Sequence, residues 1–114
     1  CYRSREGRFT GCNEAYARIF LGVPRHAVVG RTLEDFPDTF SPELTAQIYS
    51  NDLKLYSEQA DHVGINLTVK CADDAVRTFY RIIAPIRDTQ GNINGVVTVL
   101  TDIGDFVEPG NPVN

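Results

Sequence analysis

Side chains suited to metal or redox chemistry are few and widely spaced in this sequence. Cysteine occurs three times, as Cys1, Cys12 and Cys71, and histidine twice, as His26 and His62. An odd number of cysteines with no C-x-x-C spacing argues against a disulfide framework and against a zinc site. We therefore expect no metal centre, and reduced thiols that pack as small apolar side chains.

An acidic loop formed by Glu34, Asp35 and Asp38 is a second place where side chains could bind a cation or exchange a proton. Its spacing lacks the regular oxygen ligands of a calcium loop, so we expect these carboxylates to be solvated and to cap a helix. The sequence contains no phosphate-binding glycine loop, no G-x-S-x-G elbow and no H-E-x-x-H pair. We therefore expect that the protein is not an enzyme.

Length and charge are those of one ordinary acidic domain. The chain has 114 residues and a net charge of −4, and Arg3, Arg5 and Arg8 form only a weak basic group. A nucleic-acid interface needs a basic stripe, and a membrane span needs a run of ~18 apolar residues, so we expect no direct contact with either. Because the chain begins without methionine, we expect a fragment of a larger cytoplasmic protein.

Turn and cap residues divide the first half of the chain into a hairpin and several helices. Gly7 predicts a tight turn between two short strands. Asn13 is suited to cap a first helix, which Gly22 ends. Short helical turns are expected in residues 25–40, and a longer helix begins at Ser41 and reaches about residue 60.

Alternation with a period of two predicts three strands, over residues 65–69, 76–86 and 93–103. In the second of these, Arg77 and Arg81 share one face, which we place outward. The side chains expected to point inward are then Thr78, Tyr80, Ile82 and Ala84.

Three consecutive strands joined by short links predict an antiparallel meander with the helices packed on one face, which is an α+β domain. The turn before the last strand contains Asp88 and Gly91, and we expect a positive φ at Gly91.

Three segments, residues 11–20, 21–36 and 84–104, resemble motifs of the PAS family. The first contains the Asn-x-Ala helix start, and the second contains short helices with a Gly-Arg-Thr sequence. The third is the most specific: it comprises Ala84-Pro85-Ile86-Arg87-Asp88, Gly91, Gly95 and Thr101-Asp102-Ile103-Gly104, with Gly104 in place of a threonine. The resemblance implies a five-stranded antiparallel sheet in the order 2-1-5-4-3. It also implies a sensory domain over residues 1–105, with residues 106–114 starting a linker to a downstream domain.

By this resemblance, the protein is a sensory or regulatory input domain of a larger signal-transduction protein, such as a histidine kinase, a cyclic-di-GMP enzyme or a transcriptional regulator. Haem-binding relatives use a histidine on the long helix, and light-sensing relatives use a cysteine near the position of Leu33; both are missing here. The chain also has no tryptophan to stack on a flavin. We therefore expect neither haem nor flavin, and no other cofactor.

The expected ligand is a small, mostly neutral molecule in an apolar pocket, with Thr78 or Tyr80 able to hydrogen-bond it. The expected lining is Phe20, Leu33, Ile48, Leu55, Ile65, Leu67, Thr78, Tyr80, Ile82, Val97 and Val99. The resemblance also places signal output at Asp102 and Ile103. An alternative is a ligand-free interaction module in which the same residues fill the core, and a small enzyme on a similar sheet is the third class.

We expect the protein to act as a homodimer, with an effector domain in the same polypeptide. Phe79 and Ile83 are placed on the outward face of the sheet, between the two arginines, and are therefore the expected dimer interface.

Overall fold

Two short strands, four helical segments and three long strands follow one another along residues 1–103, the part of the chain that this computed structural model describes. The strands are β1 (Tyr2–Ser4), β2 (Phe9–Gly11), β3 (Val63–Lys70), β4 (Val76–Arg87) and β5 (Ile93–Asp102). The helical segments are a π-helix (Tyr16–Leu21), two 3-10 helices (Arg25–Ala27 and Leu33–Asp35) and α1 (Pro42–Tyr56). The predicted linker and Gly104 of the terminal motif lie outside the described residues.

The five strands form one antiparallel sheet in the order β2-β1-β5-β4-β3. Helical residues such as Phe20, Ile48 and Leu55 pack against the inward residues of this sheet. The predicted fold class and strand order are therefore confirmed. The long strands β4 and β5 pair in the centre, with Ile83 opposite Thr98 and Arg81 opposite Leu100. No helix among residues 1–103 is long and apolar enough to cross a membrane.

The helix caps follow the sequence prediction. Asn13 Oδ1 accepts a hydrogen bond of 2.9 Å from the Tyr16 amide, and Ser41 Oγ accepts one of 3.1 Å from the Leu44 amide. In the acidic loop, an Asp35 carboxylate oxygen accepts a 2.9 Å bond from the Thr32 amide. The capping role expected for this loop is thus confirmed at Asp35, which forms a capping box with Thr32.

The turn glycines also behave as the sequence predicts. Gly22 ends the π-helix with φ 78°, and Gly91 lies between β4 and β5 with φ 84°. In the second turn, Asp88 Oδ1 accepts hydrogen bonds from the amides of Gln90 and Asn92, each 2.9 Å long.

The predicted orientation of β4 was wrong. Phe79, Arg81 and Ile83 point into the protein and are 7%, 3% and 0% exposed, whereas Tyr80 is 42% exposed. Thr78 and Ile82 accompany Tyr80 on the outer face. Both alternating sets on β4 contain large apolar residues, so periodicity did not determine which face of the strand is buried. The prediction relied on the usual exposure of arginine, and this rule gave the wrong face.

The same correction applies to β5. Val97 and Val99 were expected in the internal pocket but share the outer face, where Val99 is 51% exposed and both residues line an open cleft. Val96 and Thr98 are the inward residues of this strand. Because Phe79 and Ile83 belong to the core, they cannot form the dimer interface that was predicted for them without unfolding of the domain.

Candidate functional site

A layer of polar side chains crosses the otherwise apolar interior between the sheet and the helices. On β4, Arg81 lies between the core residues Phe79 and Ile83, and on β5, Thr98 lies between Val96 and Leu100. The polar layer is contributed by β1, α1, β4 and β5, and its buried members are Arg3, Asn51, Asp52, Arg81 and Thr98.

Arg3 and Asp52 form a bidentate ion pair that joins β1 to α1. The two guanidinium nitrogens donate to the two carboxylate oxygens at 2.7 and 2.8 Å, and the side chains are 2% and 6% exposed. Fork-to-fork geometry of this kind uses both oxygens of the carboxylate at once. Asp52 is therefore already engaged by Arg3.

Arg81 is equally buried but lacks such a partner. Among the described residues it forms no hydrogen bond and no ion pair, and its Nη1 atom is buried without an acceptor. Burial, and then the nearby charge of Arg3, lower the pKa of Arg81 to about 10. That value is still well above neutral pH, so the guanidinium remains charged inside the protein.

Thr98 presents a second unused polar atom. Its Oγ1 is buried and has no hydrogen-bond partner within the described part of the chain, and the same holds for Nδ2 of Asn51. Thr98 and Arg81 lie on paired strands, one step diagonally from each other, because Arg81 faces Leu100 and Thr98 faces Ile83.

Arg3, Arg81 and Thr98 all line one small internal cavity of about 10 Å³. Its remaining wall is aromatic and aliphatic and consists of Tyr16, Phe20, Leu33, Phe40, Ile48, Leu67 and Leu100. A cavity of this size holds about one water molecule. In this conformation the site is thus nearly closed, and its lining combines two guanidinium groups and a hydroxyl with apolar side chains.

Comparison with known families and structures identifies the fold. A family model described as "PAS fold" matches residues 1–108. The chain belongs to the PAS family. No relative was found among curated proteins.

Solved structures similar to this PAS domain come from bacterial regulators. VqmA of Vibrio cholerae, solved as a ligand–DNA complex, is 21% identical with a TM-score of 0.80, and the match covers 90% of this chain and 44% of that one. The PAS domain of Bordetella pertussis BvgS is 25% identical with a TM-score of 0.71, and the match covers 90% of this chain and 74% of that one. The PAS domain of a LuxR-family regulator from Burkholderia thailandensis, in complex with ethanol, is 16% identical with a TM-score of 0.60. This match covers 90% of this chain and 87% of that one. This PAS domain spans about half the length of the VqmA chains that it matches.

The expected pocket lining is only partly assembled by the fold. Phe20, Leu33, Ile48 and Leu67 surround the internal cavity together. Leu55 belongs to a separate closed cluster with Ile83 and Val96, and Ile65 is partly buried on β3. The remaining predicted lining residues lie on the outer face and are Thr78, Tyr80, Ile82, Val97 and Val99. Of these, Val97 and Val99 line, together with Phe20, a solvent-open cleft of about 490 Å³.

Sequence reasoning missed the polar side of the cavity, so the premise of an uncharged lining was wrong. Arg3, Arg81 and Thr98 were absent from the predicted site, although all three line it. One signal was present in the sequence. Arg81 lies between Phe79 and Ile83 on the same face of an alternating strand, so an orientation that buries those two residues also buries Arg81.

Tyr16 and Phe20, together with Thr98 and Leu100, also line an outer cleft of about 490 Å³, which is open to solvent. These four side chains therefore separate the cleft from the internal cavity. Tyr16 and Phe20 are carried by the π-helix, a form that is rare and often occurs at functional sites. Burial raises the pKa of Tyr16, so its phenol stays neutral.

The end of β5, where signal output was expected, is held to β4. The Ile103 amide donates a 2.9 Å hydrogen bond to the Thr78 carbonyl. Arg77 Nε lies 4.0 Å from an Asp102 carboxylate oxygen, and Arg77 also forms a 2.7 Å ion pair with Asp73. Arg77 thus links the β3–β4 turn to the last described residues of the sheet.

Proposed function

We propose that this PAS domain is the sensory input module of a larger signal-transduction protein and that it binds a small molecule in the internal cavity. One observation carries the proposal: Arg81 Nη1 and Thr98 Oγ1 are buried around the same cavity with no hydrogen-bond partner among residues 1–103. Buried polar groups in proteins are normally hydrogen-bonded, because an unpaired one costs free energy. A bound molecule that accepts from these atoms removes that cost.

The relatives support this function by analogy. VqmA is described with a ligand and with target DNA, and the PAS domain of the Burkholderia regulator is described with ethanol. We infer that the whole protein is a cytoplasmic regulator of the same general kind, a histidine kinase, cyclic-di-GMP enzyme or transcriptional regulator. In it, this non-enzymatic domain occupies residues 1–105, and residues 106–114 lead towards an effector.

The output step is assigned to Asp102 and Ile103 in this proposal. Their contacts with Arg77 and Thr78 make the end of β5 sensitive to the position of β4, the strand that carries Arg81. A ligand that moves Arg81 would change the orientation in which the chain leaves the sheet. Ligand binding can shift this equilibrium only by its differential affinity for the two orientations.

Native mass spectrometry of the purified chain, with the same sample analysed after denaturation, tests ligand binding. We expect an additional mass that is released on unfolding. Arg81→Met should lose this mass, whereas Arg31→Met, a matched substitution at an exposed arginine, should retain it. A bare mass for the wild type after expression and after exposure to a metabolite extract would contradict the proposed sensory function.

A second candidate function, self-association through the outer face of the sheet, is favoured by exposed apolar residues on neighbouring strands. Tyr2, Tyr80 and Val99 are 50%, 42% and 51% exposed. Tyr2 pairs with Val97, and Ile82 pairs with Val99, so these side chains form one continuous surface across β1, β5 and β4. VqmA is described as a dimer, and we propose that a second copy of this chain covers the surface.

Sedimentation velocity over a range of concentrations tests self-association. The wild type should dimerise and Val99→Asp should be monomeric, because a carboxylate in an apolar interface is costly. Val29→Asp is the matched control, since Val29 is 55% exposed in the helical region. A monomeric wild type at high concentration, or equal dimerisation of all three proteins, would exclude this face as the interface.

A further inference from the structure

The buried charges of the polar layer do not balance. The buried charged residues among residues 1–103 are Arg3, Asp52 and Arg81, so the interior holds two guanidinium groups and one carboxylate. Their sum is one excess positive charge. An uncompensated charge in a protein interior is strongly unfavourable, and buried charges are normally paired.

Residues 1–103 offer no means of removing this excess charge. Arginine does not lose its proton in proteins at neutral pH. Asp52 uses both carboxylate oxygens for Arg3, at 2.7 and 2.8 Å. Tyr16, which also lines the cavity, cannot supply a negative charge because burial raises the pKa of its phenol. The missing counter-charge must therefore come from outside the described chain.

We infer that the ligand of this cavity is a small monocarboxylate whose carboxyl group is held by Arg81 and by the hydroxyl of Thr98. The inference rests on the proposed sensory function and names the class of its ligand. The planar guanidinium fork matches a planar carboxylate, and Thr98 Oγ1 provides an additional donor on the neighbouring strand. A single negative charge balances the layer, whereas a phosphate dianion would leave an excess of the opposite sign.

The rest of the ligand is apolar and small. Besides the arginines and Thr98, the cavity wall consists of Tyr16 and of apolar side chains such as Phe20, Leu33 and Ile48. The closed volume of about 10 Å³ accommodates only a water molecule, so binding requires the wall to move. Tyr16 and Phe20 separate the cavity from the cleft of about 490 Å³, and their displacement gives room for a short aliphatic or single-ring acid.

Matched acid and amide probes test the inference. Butanoate and benzoate are compared with butanamide and benzamide at pH 7 and constant ionic strength, by thermal unfolding and by isothermal titration calorimetry. We expect the acids to raise Tm and to bind roughly 10- to 100-fold more tightly than the amides, as is typical of charge-assisted hydrogen bonds. Arg81→Met should abolish the preference for acids, Thr98→Val should weaken acid binding, and the exposed control Arg31→Met should change neither.

A second readout requires no ligand. Arg81→Met removes the excess buried charge, so the free variant should unfold at a Tm equal to or higher than that of the wild type. A purely structural arginine would give a lower Tm when replaced, and that result would overturn the inference.

The outcomes distinguish the ligand class from the proposed function. If amides bind as well as acids, or if Arg81→Met keeps the acid preference, the carboxylate assignment is wrong while ligand sensing stands. If none of the four probes binds, the carboxylate assignment is overturned for molecules of this size. A wild type that also shows a bare mass in native mass spectrometry would overturn the sensory function as well.

Discussion

The two faces of the sheet depart from an ordinary domain in opposite ways. Within residues 1–103, the inner face buries Arg81 Nη1 without an acceptor, whereas the outer face leaves Tyr80 and Val99 about half exposed without an apolar cover. The inner face thus lacks an anion to neutralise it, and the outer face lacks an apolar partner to cover it. Because successive residues of a strand point to opposite faces, β4 and β5 contribute to both, and a displacement at Arg81 also moves Tyr80 and Ile82. Through these shared strands, a small ligand bound inside would alter a protein contact on the outer face.

The largest expected effect is on the inner face, at the carboxylate that neutralises Arg3. Asp52→Asn leaves two buried guanidinium groups with no negative charge, and we expect a loss of about 3–5 kcal/mol in the free energy of unfolding. Urea denaturation measures this loss. The double variant Arg3→Met, Asp52→Leu is the control and should recover most of the stability. If Asp52→Asn lowers the free energy of unfolding by less than about 1 kcal/mol, the polar layer does not need the negative charge of Asp52.

Adjacent isoleucines on β4 compare the two faces directly. Ile83 is 0% exposed in the closed cluster with Leu55 and Val96, so Ile83→Ala should cost about 2–5 kcal/mol through lost burial and a cavity. Ile82 lies on the outer face, and Ile82→Ala should cost about 1 kcal/mol or less at concentrations where the protein is monomeric. Equal losses measured by thermal denaturation would mean that the outer face is already covered within one chain.

Gly91 gives a backbone effect that involves neither face. A Cβ at this position would meet no atom within 4 Å, so the effect of a substitution comes from φ 84° alone. Gly91→Val should therefore destabilise the domain by more than about 1 kcal/mol, because a β-branched residue is poorly accommodated there. Gly91→Asn, which tolerates positive φ, should have a clearly smaller effect in the same melting experiment. Equal melting temperatures for the glycine and valine proteins would contradict the assigned turn conformation.

The smallest expected effect concerns the exposed pair at the β3–β4 turn. Arg77, which donates to both carboxylate oxygens, and the Ala75 amide lower the pKa of Asp73 from 3.8 to about 2. The stabilisation is therefore complete above the unfolded value and is lost as the pH falls through about 2. Asp73→Asn should be slightly less stable than the wild type between pH 5 and 7, and this difference should vanish at the acid end. A difference independent of pH would exclude the charge of Asp73 as its cause.

The sequence was sufficient wherever the determining interactions are local. Asn13 and Ser41 cap helices because each side chain reaches an amide three residues ahead. Gly22 and Gly91 adopt positive φ because the chain must reverse there and a residue without a Cβ does so without strain. Together with strand alternation and the PAS-like motifs, these features predicted the order of elements and the topology of the sheet.

Tertiary structure alone decided which face of β4 and β5 is the core and which charges are buried. Both alternating sets on β4 include large apolar residues, so the strand pattern alone does not determine which set is buried. Packing against the helices buries Phe79 and Ile83, and Arg81 is buried with them because it lies on the same face. Arg3 is buried because Asp52 meets it from α1, 49 residues away along the chain. Contacts of that length leave no periodic or motif signal, since each partner taken alone has the pattern of an ordinary surface residue. The polar half of the candidate site therefore exists only where the fold brings strands and helix together.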